Sequence, residues 1–340
     1  MSEQNIAILS WIEDVARSSP STNTDRLDLN VNDPTTPPST SVIHHKRKRL
    51  SSLPGTKDSI YSPVRRPSSP SRVKAELASA TPRVVYVPES ADPKSVAATQ
   101  LLETLQDSEF IPDKAIAQRI SNASCQCATE LRSEGSWLSK VALPLLEAAI
   151  AELPLECWNI ATESVDSRHQ PRYTAHDTVN RQVDLVVGLP VELWEVDYEQ
   201  AGLNTHGKSF SHIDHPHTGK RIIGPGIAIQ AADGNLMEAQ VQLGVWMAGL
   251  LMWAFAQRSV EDLPPLVGCT VIGEDWKFYI AVGSGPGVLE EVRIWGPLSD
   301  LDGCTATVKH TMSLLGTLRR VMEYTIGQYQ EGMFRAVTGA

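Results

Sequence analysis

Apolar side chains recur at helical spacing in several separate stretches. Ile6, Leu9, Ile12 and Val15 repeat every third residue and predict a short helical segment within residues 1–17. Between 18 and 91 the period disappears into Ser, Pro, Thr, Asn and Arg. So little apolar surface cannot offset the entropy of ordering the chain, and the stretch is predicted to be a disordered, basic, Ser/Pro-rich tail. From residue 92 the helical pattern returns. Ala97, Leu101, Leu102 and Leu105 share a face, residues 111–120 and 127–131 read as further short helices, and 136–153 carries the stripe Trp137, Val141, Leu145, Ala148 and Ala149. Pro144 should kink that helix or mark its start.

Downstream the pattern turns to β. Residues 182–189 (QVDLVVGL) are apolar and β-branched around one carboxylate, Asp184, and Gly188-Leu189-Pro190 predicts a turn into a second strand over 191–196. Residues 199–220 are polar and rich in Gly and His, the composition of a long loop. A buried strand is predicted at 226–231, a long helix at 237–258, two strands at 266–272 and 276–282 across Gly273-Glu274-Asp275, and an amphipathic helix at 308–329. The run 243–256 is too short and too glycine-interrupted for a membrane crossing and reads as a buried helix. The expectation is a mixed α/β domain over 92–335, which 340 residues at 41% hydrophobic content can supply with a core.

Charge adds a second theme. The net charge of −10 conceals nine Lys/Arg against the single acid Asp58 in residues 41–75, a local +8, so the remainder carries −18. An acidic body does not hold polyanions by bulk electrostatics, so nucleic-acid contact would need a local basic groove or the tail. Within the tail, Lys46-Arg47-Lys48-Arg49 is a run that a nuclear-import receptor can grip. A solvated charge run and direct nucleic-acid binding are the alternatives. The N-terminus lacks the pattern of a secretory signal, and five cysteines without zinc-finger pairing fit a reducing compartment. An intracellular, nuclear protein with no membrane partner is expected.

Five pieces of sequence carry a resemblance: Glu134-x-x-Trp137, Val183-Asp184-Leu185, the run 227–232 (IAIQAA), Glu238-Ala239-x-x-Gln242-Leu243-Gly244-x-Trp246, and Gly273-x-x-Trp276. In this order they resemble the fungal PD-(D/E)XK nuclease-like proteins. That resemblance implies a restriction-endonuclease-like mixed sheet flanked by helices, behind a disordered N-terminal tail. It also implies an Asp and a Glu holding Mg²⁺ through hard oxygen ligands, a Lys two positions after the Glu helping to activate water, and a Glu or Gln of the next helix reaching in.

Against that pattern the strand departs. Gln230 stands where the second carboxylate belongs and Ala232 where the lysine belongs, leaving Asp184 alone of the three. The candidate site is Asp184, Gln230, Gln242 and Glu134, joined by His215 of the loop that also holds His212, Asp214 and His217. No cofactor is expected, and Mg²⁺ on Asp184 only if cleavage is retained. Asp233 or Glu238 could replace the acid, Lys220 or Arg221 the cation, and Glu195 or Asp197 could pair with Asp184 in another register. Three functions follow: a pseudonuclease acting as a nuclear binding or scaffold module, a repurposed enzyme acting on a small molecule in a fungal biosynthetic pathway, and an active nuclease with migrated ligands.

Overall fold

Order begins well ahead of residue 92. The computed structural model describes residues 69–106, 110–173, 179, 181–196, 210–257 and 263–338, all within one unit of the chain that spans 63–340. The short helix expected within 1–17, the Lys46–Arg49 run and Asp197 lie outside the described residues. Helix α1 (Pro70–Ala78) starts on Ser69, whose hydroxyl accepts the Arg72 N–H, with Pro70 at its first position, where a missing N–H costs nothing. Strand β1 (Arg83–Val87) follows, and Val73, Leu77, Val84 and Val87 are buried in the main core. The tail therefore does not extend unstructured to 91. The i, i+4 pair Val73/Leu77 and the apolar strand carry the helical and strand signals, and the surrounding Ser/Pro composition masks them.

Helices α2 (Val96–Gln106) and α3 (Lys114–Thr129) come next. α3 is one helix capped by Asp113, where two short ones were expected, because Ala117, Ile120, Ser121, Ser124 and Cys127 form one continuous buried face. Helix α4 (Glu134–Trp137) widens into a π-helical stretch (Leu138–Ala142) and continues as α5 (Leu143–Ile150). The widening lies just ahead of Pro144, whose ring would clash with a carbonyl of the preceding turn in a regular helix.

The sheet is built from β1, β2 (Glu156–Asn159), β3 (Leu185–Leu189), β4 (Ile222–Gln230), β5 (Leu266–Ile272), β6 (Asp275–Ser284), β7 (Glu291–Trp295) and β8 (Gly303–Cys304). Its order is β1-β7-β6-β5-β4-β3-β2, with β8 on β6. β1/β7 and β4/β5 are parallel and the other pairs antiparallel. The expected 182–196 hairpin does not form. Every residue of β3 is buried, so it takes neighbours on both edges, β2 and β4, while 191–193 winds into a 3₁₀ turn. β5 and β6 do form the expected hairpin, turning on Gly273 at φ +54°, a left-handed conformation that favours glycine.

Helix α6 (Leu236–Gln257) carries the chain from β4 to its parallel neighbour β5, a crossover that parallel strands require. It is long and apolar enough to span a bilayer, yet 78% of that stretch is buried inside the fold, as expected of a core helix. It approaches the sheet closely: a Cβ on Gly226 would lie 2.5 Å from Trp246 Nε1, and one on Gly268 2.5 Å from Met247 Cε. A register shift between Val186 and Gly188 places a bulge in β4 near Pro225, where a strand tolerates proline. Helices α7 (Val308–Tyr324) and α8 (Gln330–Thr338), joined by a π-helical turn (Thr325–Tyr329), close the chain. The described structure is thus a mixed eight-stranded sheet flanked by helices, a restriction-endonuclease-like fold.

Candidate functional site

The end of β4 that feeds α6 gathers four of the five expected residues. Asp184 immediately precedes β3. Its N–H donates to the Ile227 carbonyl at 3.0 Å and its carbonyl accepts the Ile160 N–H at 2.9 Å, so the backbone is held from both sides. Its side chain is buried, and Oδ2 accepts the Ile229 N–H at 2.6 Å. Burial pushes the Asp184 carboxyl up to about 6; the Ile229 hydrogen bond opposes that shift and the Glu134 carboxylate reinforces it. Continuing the β3/β4 register from Leu185↔Ile227 sets Asp184 opposite Ala228, on the sheet face that Gln230 also occupies, because side chains alternate with period two.

Gln230 is the last residue of β4. Its Nε2 donates to the Ile229 carbonyl at 3.1 Å and reaches Gln242 Oε1 of α6 at 3.5 Å. One turn earlier on the same helix face, Glu238 accepts from Arg181 at 3.1 Å. Glu134 enters from the first turn of α4, half-buried, with its carboxyl raised by desolvation. Asp184, Gln230, Gln242 and Glu134 thus converge from four elements: the approach to β3, the end of β4, α6 and α4.

His215 belongs to a different cluster. Its Nδ1 faces Glu163 Oε1 at 3.4 Å and Thr218 Oγ1 at 3.3 Å, and the Thr218 hydroxyl donates to Glu163. His217 packs edge-on to Trp158, and Asp214 is exposed. His212 is fully buried against the Trp246 ring, with centroids 4.1 Å apart, and neither ring nitrogen has a partner. Burial lowers it to about 3, so it stays neutral. Among the described residues no three His, Cys, Asp or Glu side chains come together as a metal set.

The replacement residues fare unevenly. Lys220 and Arg221 precede the first residue of β4 while Gln230 is its last, so roughly 30 Å of strand separates them at about 3.3 Å per residue. Arg221 is spent on the His217 carbonyl at 2.6 Å and on the Trp158 ring. Glu238 is neutralised by Arg181, Asp233 is exposed in the turn after β4, and Glu195 follows the 3₁₀ turn rather than a paired strand. The Trp residues expected in the core, Trp137, Trp246, Trp253 and Trp276, are all buried. Two features have no sequence motif behind them: the Ile229 amide as partner of Asp184, and Arg181, whose only signal is a cation three residues before the buried acid.

No curated protein matches the chain. The family model described as the PD-(D/E)XK nuclease superfamily matches residues 86–330, which takes in the whole sheet from Tyr86 onward, α2 to α7 and every residue of this site. The chain belongs to the PD-(D/E)XK nuclease superfamily.

Proposed function

We propose that this protein keeps the nuclease architecture without metal-dependent cleavage and works as a nuclear binding or scaffold module. What supports this reading is the sequence around the end of β4: in the register of the superfamily resemblance, Gln230, the last residue of β4, and Ala232, in the turn after it, stand where the acid and the lysine are expected beside Asp184. A hard divalent cation is held by several anionic oxygens in a fixed geometry. Here one Asp184 oxygen is engaged by the Ile229 amide, the group titrates near 6, and Gln230 contributes a neutral amide already directed at Gln242. The donor set does not fit the Mg²⁺ site of the superfamily.

The basic run Lys46–Arg49 supports nuclear import. A repurposed small-molecule enzyme using Asp184, Gln230 and His215 together is less well supported, because His215 is engaged by Glu163 and Thr218. An active nuclease with migrated ligands has one observation in its favour, the influence of the Glu134 charge on Asp184.

The test is cleavage of single- and double-stranded DNA and RNA by the purified full chain with Mg²⁺ and Mn²⁺. No cleavage is expected. Cleavage that is lost in both Asp184→Asn and Glu134→Gln would establish the migrated-ligand reading and overturn this one.

A further inference from the structure

At the end of the sheet remote from Gln230 lies a cavity of about 710 Å³, between the end of β6, the starts of β7 and β1, and the approach to α2. The β5/β6 register fixes the opposition: Ile272, which pairs with Gln230 of β4, faces Asp275, whereas the cavity is lined by Val282 to Gly285 at the far end of β6. Its volume lies in the range of roughly 300–1,000 Å³ typical of small-molecule sites. We propose that it binds a small organic phosphate of nucleotide size.

The charge lining the cavity runs against the rest of the domain. Residues 76–340 carry 33 acidic and 19 basic side chains, a net −14. Among the described residues, the cavity lining instead presents Arg83, Lys94 and Arg293 against Glu290 and Glu291, a net +1. Glu291 sits between the two arginines, 3.2 Å from Arg83 and 2.7 Å from Arg293. An incoming anion must share guanidiniums that already hold a carboxylate, which favours a multiply charged phosphate over a monocarboxylate. Lys94 is exposed, fixed at φ 56° by its N–H to Asp92 Oδ1, and brings a third cation to the rim.

The remaining wall suits the other half of such a ligand. Leu263, Pro265, Pro93 and Ala97 give apolar surface for a base or similar ring. Elsewhere along the lining, Gly283-Ser284-Gly285-Pro286 leaves the loop backbone without bulky side chains. Gly285, at φ +143°, has no room for a Cβ, which would lie 2.0 Å from the Val288 carbonyl.

Calorimetric titration of the full chain with ADP and with inorganic pyrophosphate, at low salt without divalent ions and with adenosine as neutral control, tests the proposal. ADP and pyrophosphate are expected to bind saturably and adenosine not. Lys94→Ala and Arg83→Ala, both at exposed side chains, should each weaken binding about tenfold or more. Asp184→Asn, at the other end of the sheet, should leave it unchanged. Absence of binding by both probes, binding of wild-type strength in both cation variants, or adenosine binding as tightly as ADP overturns the proposal.

Discussion

The carboxylate of Asp184 accepts the N–H of Ile229 at 2.6 Å in a site only 6% exposed, with no cation among the described residues that shift its titration. A raised acid binds its proton more tightly folded than unfolded, so its stabilising contribution is complete below the unfolded value of 3.8 and is lost as pH rises through about 6. Asp184→Asn keeps an acceptor for Ile229 and removes the buried charge. It should stabilise the protein at pH 8 by up to roughly 3 kcal/mol, at about 1.4 kcal/mol per pKa unit, and leave stability below pH 4 almost unchanged. Urea denaturation at the two pH values measures this; equal stability of variant and wild type at pH 8 would contradict it.

His212 acts in the opposite direction over much the same pH range. Its folded value of about 3 lies below the ordinary 6.5, so the unfolded chain takes up a proton that the folded one refuses. Stability is complete above about 6.5 and falls as pH drops toward 3. His212→Phe preserves a ring against Trp246 and removes the proton uptake. Denaturation midpoints between pH 7 and 4 should fall less steeply in the variant than in the wild type.

Gly226 and Gly249 set how closely β4 and the loop before it approach α6. A Cβ on Gly226 would meet the Trp246 indole at 2.5 Å, and one on Gly249 would meet His212 Cδ2 at 2.8 Å. Each Gly→Ala change should destabilise by about 1–3 kcal/mol through overpacking, read as a lowered thermal midpoint.

Helix α1 precedes the 86–330 family match yet packs into the core. Leu77 is 1% exposed, so Leu77→Ala should cost about 2–5 kcal/mol, the range for emptying a core leucine site. Unchanged stability would mean that α1 is not part of the folded domain.

The sequence and the structure agree where one residue decides a local geometry. The apolar length of α6 and the turn at Gly273 are legible because each is set by residues close together in the chain. The β3 neighbours were not. Strand pairing across 156–159, 185–189 and 222–230 is non-local, and a Gly-Leu-Pro sequence after β3 looks the same whether it leads to a strand or to a 3₁₀ turn. The contact of His215 with Glu163 is illegible in the sequence for a related reason: Glu163 lies over fifty residues away, and no spacing rule connects them.

Under the proposed reading, Gln230 and Ala232 in place of an acid and a lysine, rather than a change of architecture, account for the loss of metal chemistry. Calorimetric titration of Mn²⁺ into the wild type and into the Gln230→Glu/Ala232→Lys double variant tests it most directly. Saturable binding in the variant and none in the wild type is the predicted result. Saturable binding in the wild type that disappears in Asp184→Asn would contradict it.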